Sequence, residues 1–64
     1  MKEYIGKYCH IEVEVRDREN NSKHLFFTGK ILDVTETHIS FIDKFGSNFT
    51  FRCDAIVQIN EVNK

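Results

Sequence analysis

The residues of this chain that could do chemistry are few and widely spaced. Cys9 and Cys53, with His10 or His38, are the side chains that could build a metal site. The sequence has no Cys-x-x-Cys or His-x-His spacing, which such a site would need. A cysteine nucleophile paired with a histidine has no better support. The two cysteines are therefore interpreted as small core residues.

Hydrolytic chemistry is not indicated either. Ser40 lacks the glycine-rich surroundings of a nucleophile elbow. Glu12 and Glu14 are two positions apart on a predicted strand, which makes them neighbours on a solvated face rather than carboxylates across a cleft. A chain this short also offers little concave surface. The sequence predicts no catalytic residue, no cofactor and no enzymatic activity.

The length and the net charge of the chain limit the classes of protein to which it can belong. The 64 residues make one domain, 1–64, with a thin core that favours oligomerisation. The net charge of −1 is unlike that of strong nonspecific nucleic-acid binders. No apolar stretch approaches the ~18 residues of a membrane span, and a signal-peptide pattern is missing. We expect a cytoplasmic protein, no membrane partner and reduced cysteines.

The elements that position these residues are predicted to be strands. Residues 8–16 alternate strictly between apolar and polar side chains, which is typical of a half-buried strand. A polar hairpin loop follows over 17–23, and a long second strand runs from Leu25 to Val34. Gly29 inside it indicates a bend or a close backbone approach. A bulge near Leu32 would return Val34 to the inner face.

Three further strands are predicted: His38–Asp43, Asn48–Cys53 and Ala55–Ile59. Gly46 marks the tight turn between the first two of these. Phe45 at its tip is interpreted as a lid over one end of the barrel rather than as a platform for base stacking. A helical turn is predicted over 1–7, and a frayed end over 60–64. The pattern indicates an all-β fold, a small, strongly bent antiparallel barrel of five strands.

Some apolar side chains do not fit inside so small a core. They are Phe26, Leu32, Ile42 and one of Ile56 or Val57. Exposed apolar positions on strands, together with free sheet edges, favour a ring or a dimer built by strand pairing. A monomer with a somewhat adhesive surface is the simpler alternative.

Two short motifs resemble those of the Sm-like superfamily of RNA-binding barrels, which includes the LSm proteins and bacterial Hfq. Residues 36–40, Glu-Thr-His-Ile-Ser, resemble the first family motif, Asp-x-His-Met-Asn. Residues 51–57, Phe-Arg-Cys-Asp-Ala-Ile-Val, resemble the second, Ile-Arg-Gly-Asp-Asn-Val-Val. Residues 27–32 are similar to its glycine-bent strand, and the resemblance covers roughly residues 4–62.

The resemblance implies a ring of six or seven protomers that binds single-stranded RNA at its pore. By position, His38 and Arg52 would stack a base, and Ser40 would stand where the family has an asparagine. Glu36 and Asp54 would orient this pocket. Ser40 departs from the motif, because a hydroxyl cannot make the paired donor and acceptor contact that reads uracil.

Two functional interpretations follow. The first is a nonenzymatic Sm-like ring that binds RNA by stacking on His38 and Arg52. The alternative is an SH3-like module for protein interaction or assembly, with no nucleic-acid role. In that case His38 is an ordinary surface residue and Arg52 pairs with a neighbouring carboxylate.

Overall fold

The protein folds as one bent sheet of five strands in the computed structural model, which describes residues 1–62. The strands are β1 (Tyr8–Arg16), β2 (Ser22–Val34), β3 (His38–Asp43), β4 (Asn48–Arg52) and β5 (Ile56–Glu61). The described helical elements are two short 3₁₀ turns, Lys2–Tyr4 and Cys53–Ala55. The predicted all-β class and the N-terminal helical turn are confirmed.

The strands are ordered β4-β3-β2-β1-β5, and each pairs antiparallel with its neighbours. β4 and β5 are therefore the two edges of the sheet. They do not pair with each other, although only the Cys53–Ala55 turn separates them along the chain. The sheet is bent like a barrel but remains open. Within residues 1–62, no helix has the length and apolarity needed to cross a bilayer.

The core lies on the concave side of the sheet. Its buried residues are Cys9, Ile11, Val13, Ile31, Val34, Ile39 and Phe41. In β1 they follow the predicted alternation, which ends with Val15 only half-buried. That end of β1 pairs with β2 alone, because the pairing with β5 stops at Val13. The β1–β2 hairpin thus extends beyond the core as a two-stranded arm.

At Gly29 the backbone of β2 comes very close to that of β3. The Cα of Gly29 pairs with Cys9 of β1 on one side and with Asp43 of β3 on the other. A Cβ at this position would lie 2.3 Å from the backbone oxygen of Ile42, a separation that real Cβ atoms essentially never show. The close approach predicted from a glycine inside a strand is confirmed.

A β-bulge in β2 follows Gly29. Ile31 pairs with Phe41 and Asp33 with Ser40, so the register shifts between Ile31 and Asp33. The shift returns Val34 to the core, where it is 5% exposed. This confirms the bulge that was predicted near Leu32 to return Val34 to the inner face.

The two hairpin turns have the same construction. In each, an aspartate carboxylate accepts hydrogen bonds of 2.9 Å from the second and fourth backbone N–H groups that follow it, Asp17 in the first turn and Asp43 in the second. The left-handed position is taken by Asn20 (φ 65°) and by Gly46 (φ 85°). Both are three-residue loops closed by a residue with positive φ. The first is shorter than predicted, because β2 begins at Ser22.

Four phenylalanine rings fill the interior beside the aliphatic core: Phe27, Phe41, Phe49 and Phe51. Their centroids lie 4.8 to 6.3 Å apart, within the range in which aromatic pairs attract. Because the rings come from β2, β3 and β4, they join the β4 side of the sheet to its centre.

The outer apolar residues follow the prediction in part. Phe26 is 74% exposed, and Leu32 and Val57 are also exposed, whereas Ile42 and Ile56 are half-buried. Val57 has no partner in β1, because the β1–β5 register shifts there.

Two expectations at the ends of elements are wrong. Phe45 is 81% exposed, so it is not a lid over the end of the sheet. The predicted frayed end is also wrong in part, since Asn60 and Glu61 belong to β5. Residues 63–64 of that end lie outside the described residues.

We expect Gly29→Ala to destabilise the fold by roughly 3 kcal/mol, because the new methyl group would force the backbones of β2 and β3 apart. Urea unfolding followed by circular dichroism measures this. Gly46→Asn is the matched control, since Asn20 already takes the equivalent place in the first turn. Equal unfolding midpoints for the two variants would contradict the role given to Gly29.

Candidate functional site

His38 and Arg52 face each other across the β3–β4 hairpin. They are direct cross-strand partners, and both are exposed. Ile39 and Phe51, the next residues inward along each strand, point into the core. Because successive side chains of a strand alternate between its faces, His38 and Arg52 must both point outward. Directly opposite side chains in such a pair have Cβ atoms about 5 Å apart.

A pair of hydroxyl groups lies beside them on the same face. Ser40 pairs with Thr50 in the next outward position of the hairpin, and their hydroxyl oxygens are 3.1 Å apart. Thr50 was not singled out from the sequence. Its place between Phe49 and Phe51 is the signal that could have found it, because two inward rings put the residue between them outside.

The loops at the ends of β2 and β4 meet at this site. The backbone N–H of Cys53 donates a hydrogen bond of 2.8 Å to the carbonyl of Thr37, and the Cys53 thiol donates to the carbonyl of Thr35 at 3.7 Å. The Thr35 hydroxyl accepts from the N–H of His38 at 3.0 Å. These bonds fix the start of β3 against the end of β4, so the two motifs occupy one place.

The polar ends of the two planar side chains are held by neighbours. Nδ1 of His38 lies 2.7 Å from the hydroxyl of Thr37. Nε of Arg52 lies 3.4 Å from a carboxylate oxygen of Asp54, with both side chains more than 60% exposed. This ion pair contributes little stability at the surface, but it orients the guanidinium. Glu36 is exposed in the β2–β3 loop.

The site therefore offers an exposed imidazole and guanidinium side by side, a pair of hydroxyls and two carboxylates. The structure brings His38, Arg52 and Ser40 onto one face, with Asp54 in contact with Arg52. It gives Glu36 a place in the adjoining loop. Within residues 1–62, no three His, Cys, Asp or Glu side chains gather as metal ligands.

The two thiols differ in their surroundings. Cys9 is fully buried, and its burial raises its pKa, with a smaller contribution from the negative charge of Glu61. Cys53 is only half-buried, next to the candidate site. Both are free cysteines.

The fold and site define a small all-β protein with one open, strongly bent antiparallel sheet and a polar face on its β3–β4 hairpin. No family model matches the chain, and searches of curated proteins and of solved structures return no match.

We expect a thiol reagent such as DTNB to modify one cysteine quickly in the native protein. Cys53 should react, whereas Cys9 is inaccessible and its raised pKa leaves less thiolate at neutral pH. Absorbance at rising urea concentration should reveal the second thiol only as the fold opens. Fast modification of Cys9 in a Cys53→Ser variant would contradict its placement in the core.

Proposed function

We propose that this chain is an Sm-like protein that binds single-stranded RNA by stacking a base against His38 and Arg52. The observation that carries the proposal is the direct cross-strand pairing of these two residues on the outer face of the hairpin. Sequence motifs alone gave only their order along the chain, whereas the register makes them neighbours.

Stacking is the interaction that suits these side chains. Bases exposed in single strands bind flat side chains, and a guanidinium plane serves as well as an aromatic ring. Each stacked base contributes about 1–3 kcal/mol. Arg52 also brings a positive charge to the phosphate backbone, so that the protein can bind RNA at one site without being basic overall.

The hydroxyl pair lets the proposed site hydrogen-bond to more than one kind of base. Ser40 and Thr50 can each donate or accept a hydrogen bond by rotating their hydroxyls. They therefore accommodate the donor and acceptor patterns of several bases, where a carboxamide would select one. We infer that the site binds U-rich and A-rich strands with similar affinity.

Ring assembly would bring several such sites together. β4 and β5 are open edges at opposite ends of the sheet, each able to form backbone hydrogen bonds with another chain. If β4 of one protomer pairs with β5 of the next, the contact is head-to-tail, and repeated contacts form a ring where the rotation between protomers closes. Six or seven protomers are the numbers implied by the Sm-like resemblance.

A second candidate function is an assembly module without an RNA role. The exposure of Phe26 and Phe45 favours it, because exposed aromatic side chains of this size are typical of protein interfaces. RNA titration separates the two candidates.

We expect Arg52→Ala and His38→Ala each to weaken binding of short U-rich or A-rich RNA by about fivefold or more, because each removes one stacking surface. Fluorescence anisotropy with labelled oligonucleotides near physiological salt measures the change.

Arg18→Ala is the matched control for this titration. It removes the same charge from the β1–β2 turn, at the opposite end of β2, and should leave affinity nearly unchanged. If the wild-type chain binds neither oligonucleotide, or if all three variants lose affinity equally, stacking at this site is not the function.

We expect a mass in solution that is a multiple of the 7.6 kDa chain, because the two edges pair. Light scattering coupled to size exclusion measures it. Val57→Lys should reduce the mass, since a charge on an edge strand opposes strand addition. A wild-type monomer at all concentrations would overturn the assembly.

A further inference from the structure

Phe26 divides two grooves on the convex face of the sheet. The first, of about 220 Å³, lies between Phe26 and β5 and has Glu12 and Gln58 in its wall. The second, of similar volume, lies between Phe26 and the turn that carries Lys44 and Phe45. Along this face the order is thus first groove, Phe26, second groove, Phe45. The candidate RNA site uses none of these residues.

The turn presents Phe45 as a rigid projection. Asp43 fixes it through hydrogen bonds to the backbone N–H groups of Phe45 and Ser47. The ammonium of Lys44 lies 5.3 Å from the centre of the Phe45 ring, so a cation accompanies the aromatic side chain. A projection that is already ordered loses little conformational entropy when it binds.

The fold does not require a phenylalanine at this position. The first hairpin turn has the same hydrogen bonds and the same left-handed residue, and it has Glu19 where the second turn has Phe45. A polar residue therefore satisfies the turn. Phe45 is 81% exposed and Phe26 is 74% exposed, and both border the second groove. The two rings thus form one exposed apolar patch, which is typical of an interaction surface.

The first groove matches this projection in chemistry. It offers the Phe26 ring as an apolar wall and the Glu12 carboxylate as a negative charge. One oxygen of that carboxylate lies 2.6 Å from Nδ1 of His24, and Glu14 lies 3.8 Å from the other ring nitrogen, so the two carboxylates leave the cluster with a net negative charge. The projection offers an aromatic ring and the positive charge of Lys44. The projection of Phe45 and Lys44 therefore has the chemistry that the first groove would bind. It lies on the far side of Phe26, so it cannot reach the first groove of its own chain.

We propose that two copies of the chain associate back to back through this face, with Phe45 of each copy inserted in the first groove of the other. A two-fold axis that lies in the plane of the contact, midway between the first groove and Phe45, places each projection over the opposite groove. The contact is self-complementary, as an isologous interface requires. Lys44 of each copy then approaches Glu12 of its partner.

The association is independent of ring formation, because it uses side chains of the convex face rather than the edges of β4 and β5. The test therefore compares the mass of the wild-type protein with that of a variant, rather than relying on one absolute mass. Sedimentation equilibrium over a range of concentrations should give the wild-type protein twice the limiting mass of Phe45→Glu, whatever the size of any ring. Phe45→Glu should fold normally, since Glu19 holds the equivalent position.

A charge exchange tests the identity of the occupant. Lys44→Glu and Glu12→Lys should each abolish self-association, because each places like charges together at both contacts. An equimolar mixture of the two variants should restore the doubled mass, because both contacts are then between opposite charges. Circular dichroism establishes that each variant is folded.

The results that would overturn the proposal are distinct from those that overturn RNA binding. An unchanged limiting mass for Phe45→Glu means that the face is free for a partner of other chemistry, and the back-to-back pair is wrong. Failure of the mixed variants to associate, when each is folded, excludes the pairing of Lys44 with Glu12. RNA affinity of Phe45→Glu should equal that of the wild type.

Discussion

The close approach of β2 to β3 at Gly29 is the constraint on which the rest of the structure depends. β2 is the central strand, and at Gly29 it is hydrogen-bonded on both sides. The missing side chain lets the backbone of Ile42 come so close that it occupies the space a Cβ would need. On the same side of the sheet, the phenylalanine rings of β2, β3 and β4 contact one another. A flat sheet of these strands would leave them on an open surface.

The bulge between Ile31 and Asp33 determines which side chains of the following residues face the candidate site. Strict alternation from Ile31 would put Val34 outside and rotate the loop that follows. The register shift restores Val34 to the core, so that β3 starts with His38 outward and Ile39 inward. The position of His38 opposite Arg52 therefore depends on one extra residue in β2, ahead of either motif.

Much of this could be predicted from the sequence, because alternation and glycine positions have direct steric causes. The register of the β3–β4 hairpin also follows from its turn: His38 and Arg52 each lie seven positions from Phe45. The bounds of β2 could not be predicted as well. In the first turn the left-handed position is taken by Asn20 rather than by a glycine. Without a glycine to mark it, a tight turn in this polar stretch could not be told from a longer loop.

The exposure of Phe45 could not be predicted from its residue type. Large aromatic residues are buried in most contexts, and a lid was the natural interpretation of one at a turn. Its exposure is decided instead by the Asp43 carboxylate, which fixes the turn and directs the ring away from the core. The contact between Ser40 and Thr50 also could not be predicted from either strand alone, because it depends on how β3 pairs with β4.

The size of the protein explains why so much surface remains open to association. A compact monomer of 7.6 kDa exposes about 4,300 Å², and this chain exposes 4639 Å². The difference is small, so the protein is nearly as compact as others of its mass, and its open features are specific ones. The sheet edges offer backbone donors and acceptors, whereas the convex face offers an aromatic projection and a groove. Because the proposed edge contact and the proposed face contact use different atoms, the two proposals are compatible in one protomer.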